Sequence, residues 1–253
     1  MSDLGIAVIG FGNFGKFISE TFVKYGRVYA VDRDDKSTDA TMIKCQSFTS
    51  IHSESVASIP CNVIVLSVSI VSFEEVIKML PRDLLRGKLI VDVCSVKSHA
   101  KAVMLANLPE DCDIICTHPM FGPESGKYGW QGLSFVYDKV RVSDTERADR
   151  FLHIWESERC KMIEMTCEQH DEYAASSQFI THLTGRILWQ QNLVPTPIDT
   201  KGFEALMSIR DNVCKDSFDL FSGLYRFNRT NADKQIHAMR KALDEVQDLL
   251  MRE

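Results

Sequence analysis

The chain has little of what marks a secreted, membrane-bound or nucleic-acid-binding protein. Its 253 residues include eight cysteines but no C-x-x-C pair, which predicts reduced, mostly buried thiols in a cytosol-like compartment. No apolar run approaches the roughly 18 residues of a membrane span, and no signal peptide precedes the first predicted strand. The net charge of −6 argues against nucleic acid as a main partner.

The remaining composition is that of a soluble globular protein, with 45% hydrophobic and 25% charged residues. The length allows one large domain or two of ordinary size. A core of that size needs no disulfide or metal. We therefore expect a cytoplasmic location, or a plastid location if a targeting peptide has been removed.

The strongest local pattern is strand, glycine turn and helix at the start of the chain. Residues 6–9 predict a buried parallel strand, Gly10, Gly12 and Gly15 have G-x-G-x-x-G spacing, and residues 16–24 predict a helix. These glycines permit a tight turn, close approach of a pyrophosphate, and close packing of helix on strand. The alternative is a glycine-rich turn of another α/β domain. The residues predicted to bind a dinucleotide here are Gly10, Gly12, Asn13, Phe14 and Gly15.

The end of the second predicted strand, 27–31, bears on the choice of cofactor. An acid at the position of Asp32 holds the adenosine ribose hydroxyls and selects NAD in this fold, whereas an arginine such as Arg33 suits the 2′-phosphate of NADP. We favour NAD, because Asp32 would repel a phosphate dianion unless it turned away to pair with Arg33. The alternative for both residues is a solvated loop.

Alternating strand and helix patterns predict a doubly wound α/β sheet. From about residue 170 no strand pattern remains. We therefore predict a Rossmann-type dinucleotide-binding domain over 1–166 and an all-helical substrate-binding and dimerisation domain over 167–253. Long apolar helices of such a domain often pair with a second subunit, so we expect a homodimer. Further strands are predicted at 63–68, 89–93, 113–116, 134–137 and 162–165, and helices at 39–44, 73–80, 145–157, 171–190, 200–227 and 232–251.

Candidate functional residues stand at the ends of three strands, where ligands of open α/β sheets lie. Ser67 and Ser69 are predicted to contact the cofactor, Ser95 and Lys97 follow the next strand, and His118 follows the third. A dehydrogenase takes a proton from a hydroxyl as hydride leaves the same carbon, and an imidazole with a pKa near ~6.5 does so at neutral pH. We predict that His118 is this base.

Ser95 and Lys97 are candidates for holding the substrate near that base. Ser95 could hold the imidazole or the substrate hydroxyl, and Lys97 could bind a substrate carboxylate. The alternatives are a loop-capping role for His118, a helix-capping serine and a surface lysine.

The helical half carries further polar residues. His170, Asp171 and His182 lack the i, i+4 histidine pair of a zinc helix, so we predict no metal site. Thr200 and Lys201 open a predicted helix and offer N–H groups and a cation to a carboxylate. Asp216 is predicted within that same helix, where spacing alone favours a solvated face.

Several segments form a set: GFGNFG, DVCSVK, THPMFGPESGKYGWQGLSFVYDKVR, HDEYAASSQFITH, and TKGFE with DSFDL. Together they closely resemble the arogenate/prephenate dehydrogenase family of tyrosine biosynthesis, and most closely its plant-type members. The resemblance implies an N-terminal nucleotide domain, a C-terminal helical dimerisation domain and an active site between them.

The resemblance also implies a reaction, the oxidative decarboxylation of a cyclohexadienyl substrate. Hydride leaves ring C4 for the nicotinamide, carbon dioxide is lost and the ring becomes aromatic. His118 matches the family's catalytic histidine and Ser95 the serine that assists it. Positions that hold the substrate's side chain match Gln178, Thr200 and Lys201. The complete set predicted to bind substrate is Lys97, Gln178, Thr181, Thr200, Lys201 and Asp216.

Within the family, Asp216 predicts arogenate as the better substrate. Arogenate carries a side-chain ammonium where prephenate carries a keto group, and plant-type arogenate enzymes have an acid that matches Asp216. Three positions depart from the family pattern or divide its members. Asp32 replaces the serine usual in NADP-type members, Gln178 replaces the histidine of bacterial prephenate enzymes, and Val213 replaces a threonine common in arogenate enzymes.

Two other readings stay open. One is another two-domain dehydrogenase, of the β-hydroxyacid or imine-reductase type, although these lack HPMFGPESG followed by VYDKVR. The other is a nucleotide-sensing, partner-binding protein of the same fold, which would need no histidine at His118.

Overall fold

The structure is a computed structural model that describes residues 4–49 and 54–252, with residues 54 and 55 described by backbone alone. It divides into two compact units, Met1–Cys167 and Glu168–Glu253. This division falls one residue after the boundary predicted between the two domains.

The first unit contains an eight-stranded sheet, formed by the apolar runs that the sequence pattern indicates and by one short strand that it does not. In chain order the strands are β1 (Leu4–Ile9), β2 (Gly26–Asp32), β3 (Gln46–Thr49), β4 (Val63–Leu66), β5 (Leu89–Asp92), β6 (Asp113–Pro119), β7 (Ser134–Arg141) and β8 (Lys161–Glu164). The strand order is β3-β2-β1-β4-β5-β6-β7-β8.

The sheet is mostly parallel, and β1 to β6 follow the Rossmann order. Only β7 runs antiparallel to its neighbour β6, and β8 is parallel to β7. Because β1 and β4 are adjacent, the strand order reverses between them, which is where this fold binds nucleotides. The predicted Rossmann-type fold is confirmed.

Helices connect the strands, and an aromatic cluster packs one group of them on the sheet. The Trp155 indole stacks on Phe135 with 4.1 Å between ring centroids and on Trp130 with 4.7 Å, and Phe22 meets it edge-on.

The helices are α1 (Asn13–Phe22), α2 (Ser37–Met42), α3 (Glu54–Ala57), α4 (Phe73–Met79), α5 (Arg82–Leu85), α6 (Lys97–Asn107), α7 (Pro123–Gly126), α8 (Thr145–Ser157) and α9 (Cys167–Ala174), which crosses the boundary between the units.

The second unit is all-helical. One turn of π-helix, Ala175–Phe179, follows α9 directly and leads into the next helix. The remaining helices are α10 (Ile180–Gln190), α11 (Lys201–Lys215), α12 (Phe218–Arg226) and α13 (Arg229–Leu250). Across residues 4–49 and 54–252, none of the helices combines the length and apolar character that crossing a bilayer requires.

Two predicted positions are wrong. His118 lies inside β6 rather than in a loop after it, because β7 pairs alongside and extends the strand, with His118 opposite Val136. Asp216 is not in a helix, since the predicted helix 200–227 is divided into α11 and α12. Asp216 has an extended backbone, and the Ser217 side chain accepts the N–H of Leu220 as the cap of α12. A serine before an apolar stretch is a helix-start signal.

Candidate active site

The glycine loop after β1 is shaped by its own packing. Gly10 has a φ of +92°, and a side chain there would overlap the Ser67 carbonyl oxygen, while a Cβ on Gly15 would overlap the Gly10 carbonyl oxygen. Gly12 differs, because a Cβ placed on it has no described atom within 4 Å. Its backbone therefore lies open at the N-terminus of α1, as a pyrophosphate requires. These residues fit a bound dinucleotide.

The carboxylate of Asp32 is held by backbone groups at the end of β2. One oxygen accepts the N–H of Phe11 at 2.7 Å, and the other accepts the N–H of Asp34 at 3.0 Å. The Arg33 side chain is 88% exposed and pairs with Asp34 at 3.9 Å. Asp32 thus stays at the strand end that a ribose approaches, instead of turning away into a pair with Arg33.

The two serines at the end of β4 differ in position. Ser67 lies against the glycine loop, with its hydroxyl 3.4 Å from the Cβ position of Gly15. Ser69 is exposed in the turn that follows, where its carbonyl accepts the N–H of Ser72 at 3.0 Å. Only Ser67 is therefore fixed beside the loop, and the cofactor role of both serines stays a prediction.

A buried polar network joins the carboxyl ends of β5 and β6. Asp92 and Lys97 form an ion pair, and both residues are at least 98% buried. The Lys97 ammonium also donates to the Thr117 carbonyl at 2.5 Å, and the Thr117 hydroxyl donates to the Asp92 carbonyl at 2.5 Å. The Cys94 N–H donates at 3.0 Å to the Asp92 carboxylate oxygen that pairs with Lys97. The network therefore ties two strand ends to the first turn of α6.

The charge state of this network follows from its burial. Burial acts to lower the pKa of Lys97, but the charge of Asp92 and the neighbouring thiols outweigh it, so this pKa is raised. Lys97 therefore remains an ammonium and Asp92 its counter-ion. Removing one partner of such a pair leaves an uncompensated buried charge, at a cost of roughly 3–5 kcal/mol.

Both predicted catalytic residues are neighbours of this network. His118 follows Thr117 directly on β6 and is only 4% exposed. Ser95 is half-buried in the bend between Cys94 and Lys97. The hydrogen bonds of the network therefore fix the backbone next to each of them. The arrangement can present an imidazole and a hydroxyl at the ligand-binding edge of the sheet.

The predicted role of Lys97 needs correction. Its ammonium is buried and already bonded to Asp92 and to the Thr117 carbonyl, so it is not presented to a substrate carboxylate. Lys97 is instead placed to position the strand ends that carry His118 and Ser95. The surface-lysine alternative is wrong as well, because the side chain is 2% exposed.

In the helical unit, three polar side chains four residues apart lie on one helix face. Gln178 belongs to the π-helix, and His182 and Arg186 follow on α10. Each has one buried atom with no hydrogen-bond partner among the described residues, namely Gln178 Oε1, His182 Nδ1 and Arg186 Nε. Because buried polar atoms are normally paired, this face has the character of a binding surface.

Asp216 lies beside this face. The Arg186 Nη2 donates to the Asp216 carbonyl at 2.8 Å and to the Val213 carbonyl at 3.4 Å, which caps the C-terminal end of α11. An Asp216 carboxylate oxygen lies 3.9 Å from His182 Nε2, with the Asp216 side chain 46% exposed. Burial lowers the pKa of His182, Asp216 opposes this, and Arg186 adds to the lowering. The imidazole is therefore neutral at neutral pH.

The other predicted substrate-binding residues make local contacts. Thr200 caps α11 by accepting the N–H of Phe203 at 3.2 Å. The Lys201 ammonium, 92% exposed, pairs with Glu204 at 2.7 Å. The exposed Thr181 donates to the Ser177 carbonyl at 3.0 Å. Their role towards a ligand stays a prediction.

His170, which was considered as a metal ligand, is instead paired with a neighbouring carboxylate. His170 Nδ1 lies 2.9 Å from an Asp171 carboxylate oxygen, and both residues are buried. Asn228 donates to the Asp171 carbonyl at 2.6 Å. In the part of the chain that is described, no group of three His, Cys, Asp or Glu residues could hold a metal ion.

Three residues of these sites were missed by sequence reasoning: Asp92, His182 as a partner of Asp216, and Arg186. Asp92 had a signal, since it ends an apolar strand just before Ser95 and Lys97. The i, i+4 spacing of Gln178, His182 and Arg186 was also readable. Their unpaired buried atoms were not, because these depend on packing between helices.

Comparison with known proteins identifies the family. The sequence profile described as "Prephenate dehydrogenase, nucleotide-binding domain" matches residues 18–163, more than half of the chain. The chain belongs to the arogenate/prephenate dehydrogenase family. A second profile, "TYRAAT1-like, C-terminal domain", matches residues 187–253.

Curated relatives agree with this assignment. The chain is 46% identical over 251 residues to "Arogenate dehydrogenase 2, chloroplastic" of Arabidopsis thaliana, covering 97% of this chain and 69% of that protein. It is 45% identical over 254 residues to "Arogenate dehydrogenase 1, chloroplastic" of the same plant, covering 95% and 39%. The predicted resemblance to plant-type members is thereby confirmed, and the chain spans only part of each relative's length.

Solved structures agree in fold. Prephenate dehydrogenase from Aquifex aeolicus, in complex with hydroxyphenyl propionate and NAD+, has a TM-score of 0.78 at 20% identity, covering 100% of this chain and 92% of that one. Synechocystis arogenate dehydrogenase has a TM-score of 0.68 at 16% identity, covering 98% and 92%. At these identities the likeness concerns the fold alone.

Proposed function

We propose that the chain is a nicotinamide-dependent arogenate dehydrogenase, which oxidises and decarboxylates arogenate to tyrosine. The observation that carries the proposal is the buried His118 beside the Asp92–Lys97–Thr117 network, at the sheet edge where this fold binds its ligands. The 46% identity to an Arabidopsis arogenate dehydrogenase supports it.

The proposed chemistry begins with removal of a proton by His118. The His118 imidazole accepts the proton of the ring 4-hydroxyl, and Ser95 orients that hydroxyl. A nicotinamide cofactor held by the glycine loop would supply the acceptor for the hydride of C4. The ring carboxylate then leaves as carbon dioxide, and its bonding electrons make the ring a phenolate. His118 returns its proton to that oxygen, so the products are tyrosine, carbon dioxide and the reduced cofactor.

Asp216 supports arogenate over prephenate. Its half-exposed carboxylate can pair with the side-chain ammonium of arogenate. Prephenate has no cation there, and the carboxylate would only add repulsion between anions. Truncating one partner of a charge pair that becomes desolvated costs about 2–5 kcal/mol. Because the Asp216 carboxylate is half-exposed and solvent screens its charge, we expect an effect at the lower end of that range, which is still enough to favour one substrate.

Crossing two substrates with two cofactors tests reaction and substrate together. The formation of reduced nicotinamide and the release of carbon dioxide are measured with arogenate and prephenate, each with NAD and NADP. We expect a higher kcat/KM for arogenate, and we expect Asp216→Asn to move the ratio towards prephenate. The matched control is Asp219→Asn, an exposed acid in the first turn of α12.

Each contrary result has a distinct meaning. Preference of the wild-type protein for prephenate would replace the substrate assignment with prephenate dehydrogenase. Turnover of a hydroxyacid without carbon dioxide would favour the β-hydroxyacid or imine-reductase type. Full biological activity after His118→Ala, with loss after Gly12→Asp, would favour a nucleotide sensor.

We further propose NAD as the preferred cofactor. Asp32 offers its carboxylate at the end of β2, held by two backbone N–H groups, and it would repel a 2′-phosphate. Asp32→Ser should therefore lower the KM for NADP while raising that for NAD, with Arg33 left to bind the phosphate. A wild-type preference for NADP would contradict this.

We also propose a homodimer. Leu243, Val246 and Leu250 lie at i, i+3, i+7 positions on α13 and are 53–71% exposed, an apolar stripe of the kind that pairs with another helix. A monomer by light scattering on a sizing column would refute this.

The plastid is the proposed compartment rather than the cytoplasm, because both Arabidopsis relatives are named as chloroplastic. Fractionation of cells that express the full natural protein tests it. Recovery of the protein in the cytosolic fraction alone would contradict the proposal.

A further inference from the structure

The two residues proposed to act on the substrate hydroxyl are carried by different strands. Ser95 follows the end of β5, three residues after Asp92, and His118 lies near the end of β6. The last register pair between these strands is Asp92 with Cys116. Beyond that pair β6 continues alongside β7 to Pro119, whereas β5 ends and its chain bends towards α6. The distance between Ser95 and His118 must therefore be set by contacts beyond the β5–β6 ladder.

One residue supplies such contacts at the point where the two strands separate. Thr117 is fully buried, and its hydroxyl donates to the Asp92 carbonyl at 2.5 Å. Its own carbonyl accepts the Lys97 ammonium at 2.5 Å. Thr117 thus links β6 to the final residue of β5 through its side chain, and to the first residue of α6 through its backbone. Both links join the segments that carry Ser95 and His118.

The hydroxyl of Thr117 is not explained by packing. Thr117 follows three buried apolar residues, Ile114, Ile115 and Cys116. A valine would have the same β-branched shape and would suit a strand equally well. A buried hydroxyl costs free energy unless it is hydrogen-bonded, and here the Asp92 carbonyl is the acceptor. What the hydroxyl contributes is therefore the link to β5.

We propose that Thr117 is a positioning residue, whose hydroxyl holds the ends of β5 and β6 together and so sets the mutual placement of Ser95 and His118. This inference rests on the proposed function, in which Ser95 orients the substrate hydroxyl and His118 removes its proton. Thr117 acts through its bonds to Asp92 and Lys97. Misplacement of reacting groups by about 1 Å can lower a rate by about 100-fold.

A double-mutant cycle separates positioning from general stability. Thr117→Val removes the hydroxyl and keeps the shape of the side chain, and it is made both in the wild-type protein and in Ser95→Ala. Thr117→Ser keeps the donor and tests rescue. Ser143→Ala is the matched control, because the Ser143 hydroxyl donates to the buried Asp113 carboxylate at 2.7 Å, at the opposite end of β6.

The measurements are kcat and KM for arogenate and for prephenate, the dissociation constant of NADH by fluorescence titration, and thermal unfolding. We expect Thr117→Val to lower kcat by about 10- to 100-fold for both substrates, with the KM values and the NADH dissociation constant changed by about twofold or less. In Ser95→Ala the same substitution should lower kcat by about threefold or less, because the residue whose placement it sets has been removed. Thr117→Ser should keep kcat within about threefold of the wild-type value, since it retains the hydrogen bond.

The control variant shows what a purely structural change does. Ser143→Ala should lower the melting temperature about as much as Thr117→Val, since each removes one buried hydrogen bond, and it should leave kcat unchanged. If Thr117→Val does not fold, Thr117→Cys takes its place in the same cycle with the same expectations, because a thiol is a much weaker donor than a hydroxyl.

The outcomes distinguish this inference from the proposed function. An equal fall in kcat with and without Ser95, or a kcat that survives Thr117→Val, refutes the inference and leaves the proposed function standing. A similar loss of kcat in Ser143→Ala, or no rescue by Thr117→Ser, assigns Thr117 a structural role only and also overturns the inference. A wild-type protein that oxidises neither arogenate nor prephenate refutes the proposed function and this inference with it.

Discussion

The two units hold their polar residues in different ways. In the first, the side chains around His118 are bound to one another and to strand ends, as in the Asp92–Lys97–Thr117 network. In the second, the polar face of Gln178, His182 and Arg186 keeps buried atoms without partners. The first arrangement suits chemistry, which needs fixed geometry, and the second suits recognition, in which the ligand completes the hydrogen bonds.

This comparison predicts opposite kinetic signatures for substitutions in the two units. Changes near His118 should affect arogenate and prephenate alike, because both substrates undergo the same chemistry. Changes on the polar face of the helical unit should alter the ratio between the substrates, because it is the side chain that differs between them.

The largest effect is expected for His118→Asn. Loss of a general base lowers kcat by about 100- to 10,000-fold, and we expect the same factor for arogenate and prephenate. Steady-state kinetics with both substrates measures this. A loss confined to arogenate would show that His118 recognises the side chain, and the contrast between the units would fail.

Lys97→Met should be next in size. The substitution leaves Asp92 buried without its counter-ion, so the free energy of unfolding should fall by about 3–5 kcal/mol. Lys101→Met is the matched control, since Lys101 pairs with Asp138 at 3.6 Å at a half-buried site, and we expect a loss of about 1 kcal/mol or less. Urea unfolding of both variants measures the difference.

A double variant, Asp92→Asn with Lys97→Met, separates stability from positioning. It should recover part of the lost stability, because no buried charge remains, but kcat should stay low for both substrates. Full recovery of kcat would show that the network is unnecessary for placing His118 and Ser95.

Two glycines of the nucleotide loop should respond differently to alanine. Gly12→Ala places a methyl group in open space, so stability should change by about 0.5 kcal/mol or less while NADH binding weakens by about tenfold. That weakening reflects lost backbone contact with the pyrophosphate. Gly15→Ala meets the Gly10 carbonyl and should destabilise the fold itself. Fluorescence titration and thermal unfolding check both variants, and similar stability losses would contradict this.

The smallest effect concerns the pH dependence of stability. The pKa of His182 is lowered from 6.5 in the folded state, so the unfolded chain binds the proton more tightly. Stability is therefore complete above about pH 6.5 and falls as the pH drops towards the folded-state pKa. His182→Leu should lose less stability than the wild-type protein between about pH 7 and pH 5. Parallel unfolding curves at the two pH values measure this, and equal losses would count against it.

Much of the first unit could be predicted because its signals are local. Buried parallel strands appear as apolar runs, and the glycine spacing predicts the tight turn between the first strand and helix. The Rossmann-type fold can therefore be predicted from short segments. The short strand β3 gave no such signal, because it lies at the edge of the sheet and only one of its sides is paired.

The setting of individual site residues was less accessible. From the sequence, Lys97 could equally be a surface residue or a residue that binds a substrate carboxylate. Its burial depends on Asp92 and on the Thr117 carbonyl of another strand. The sequence pattern places Asp216 within a long helix. In the structure that helix ends before Asp216, and Arg186 donates to the carbonyls of Val213 and Asp216. Contacts between distant segments leave no periodic pattern in the chain.

The sequence by itself determined the nucleotide fold and the family, since each depends on runs of adjacent residues, and it predicted His118 as the base. Only the tertiary structure decided that Lys97 supports the strand ends instead of meeting substrate, and that Asp216 stands between helices beside His182. The reason is physical. Burial and charge pairing belong to residues brought together from separate elements, and they change what an ammonium or a carboxylate is able to do.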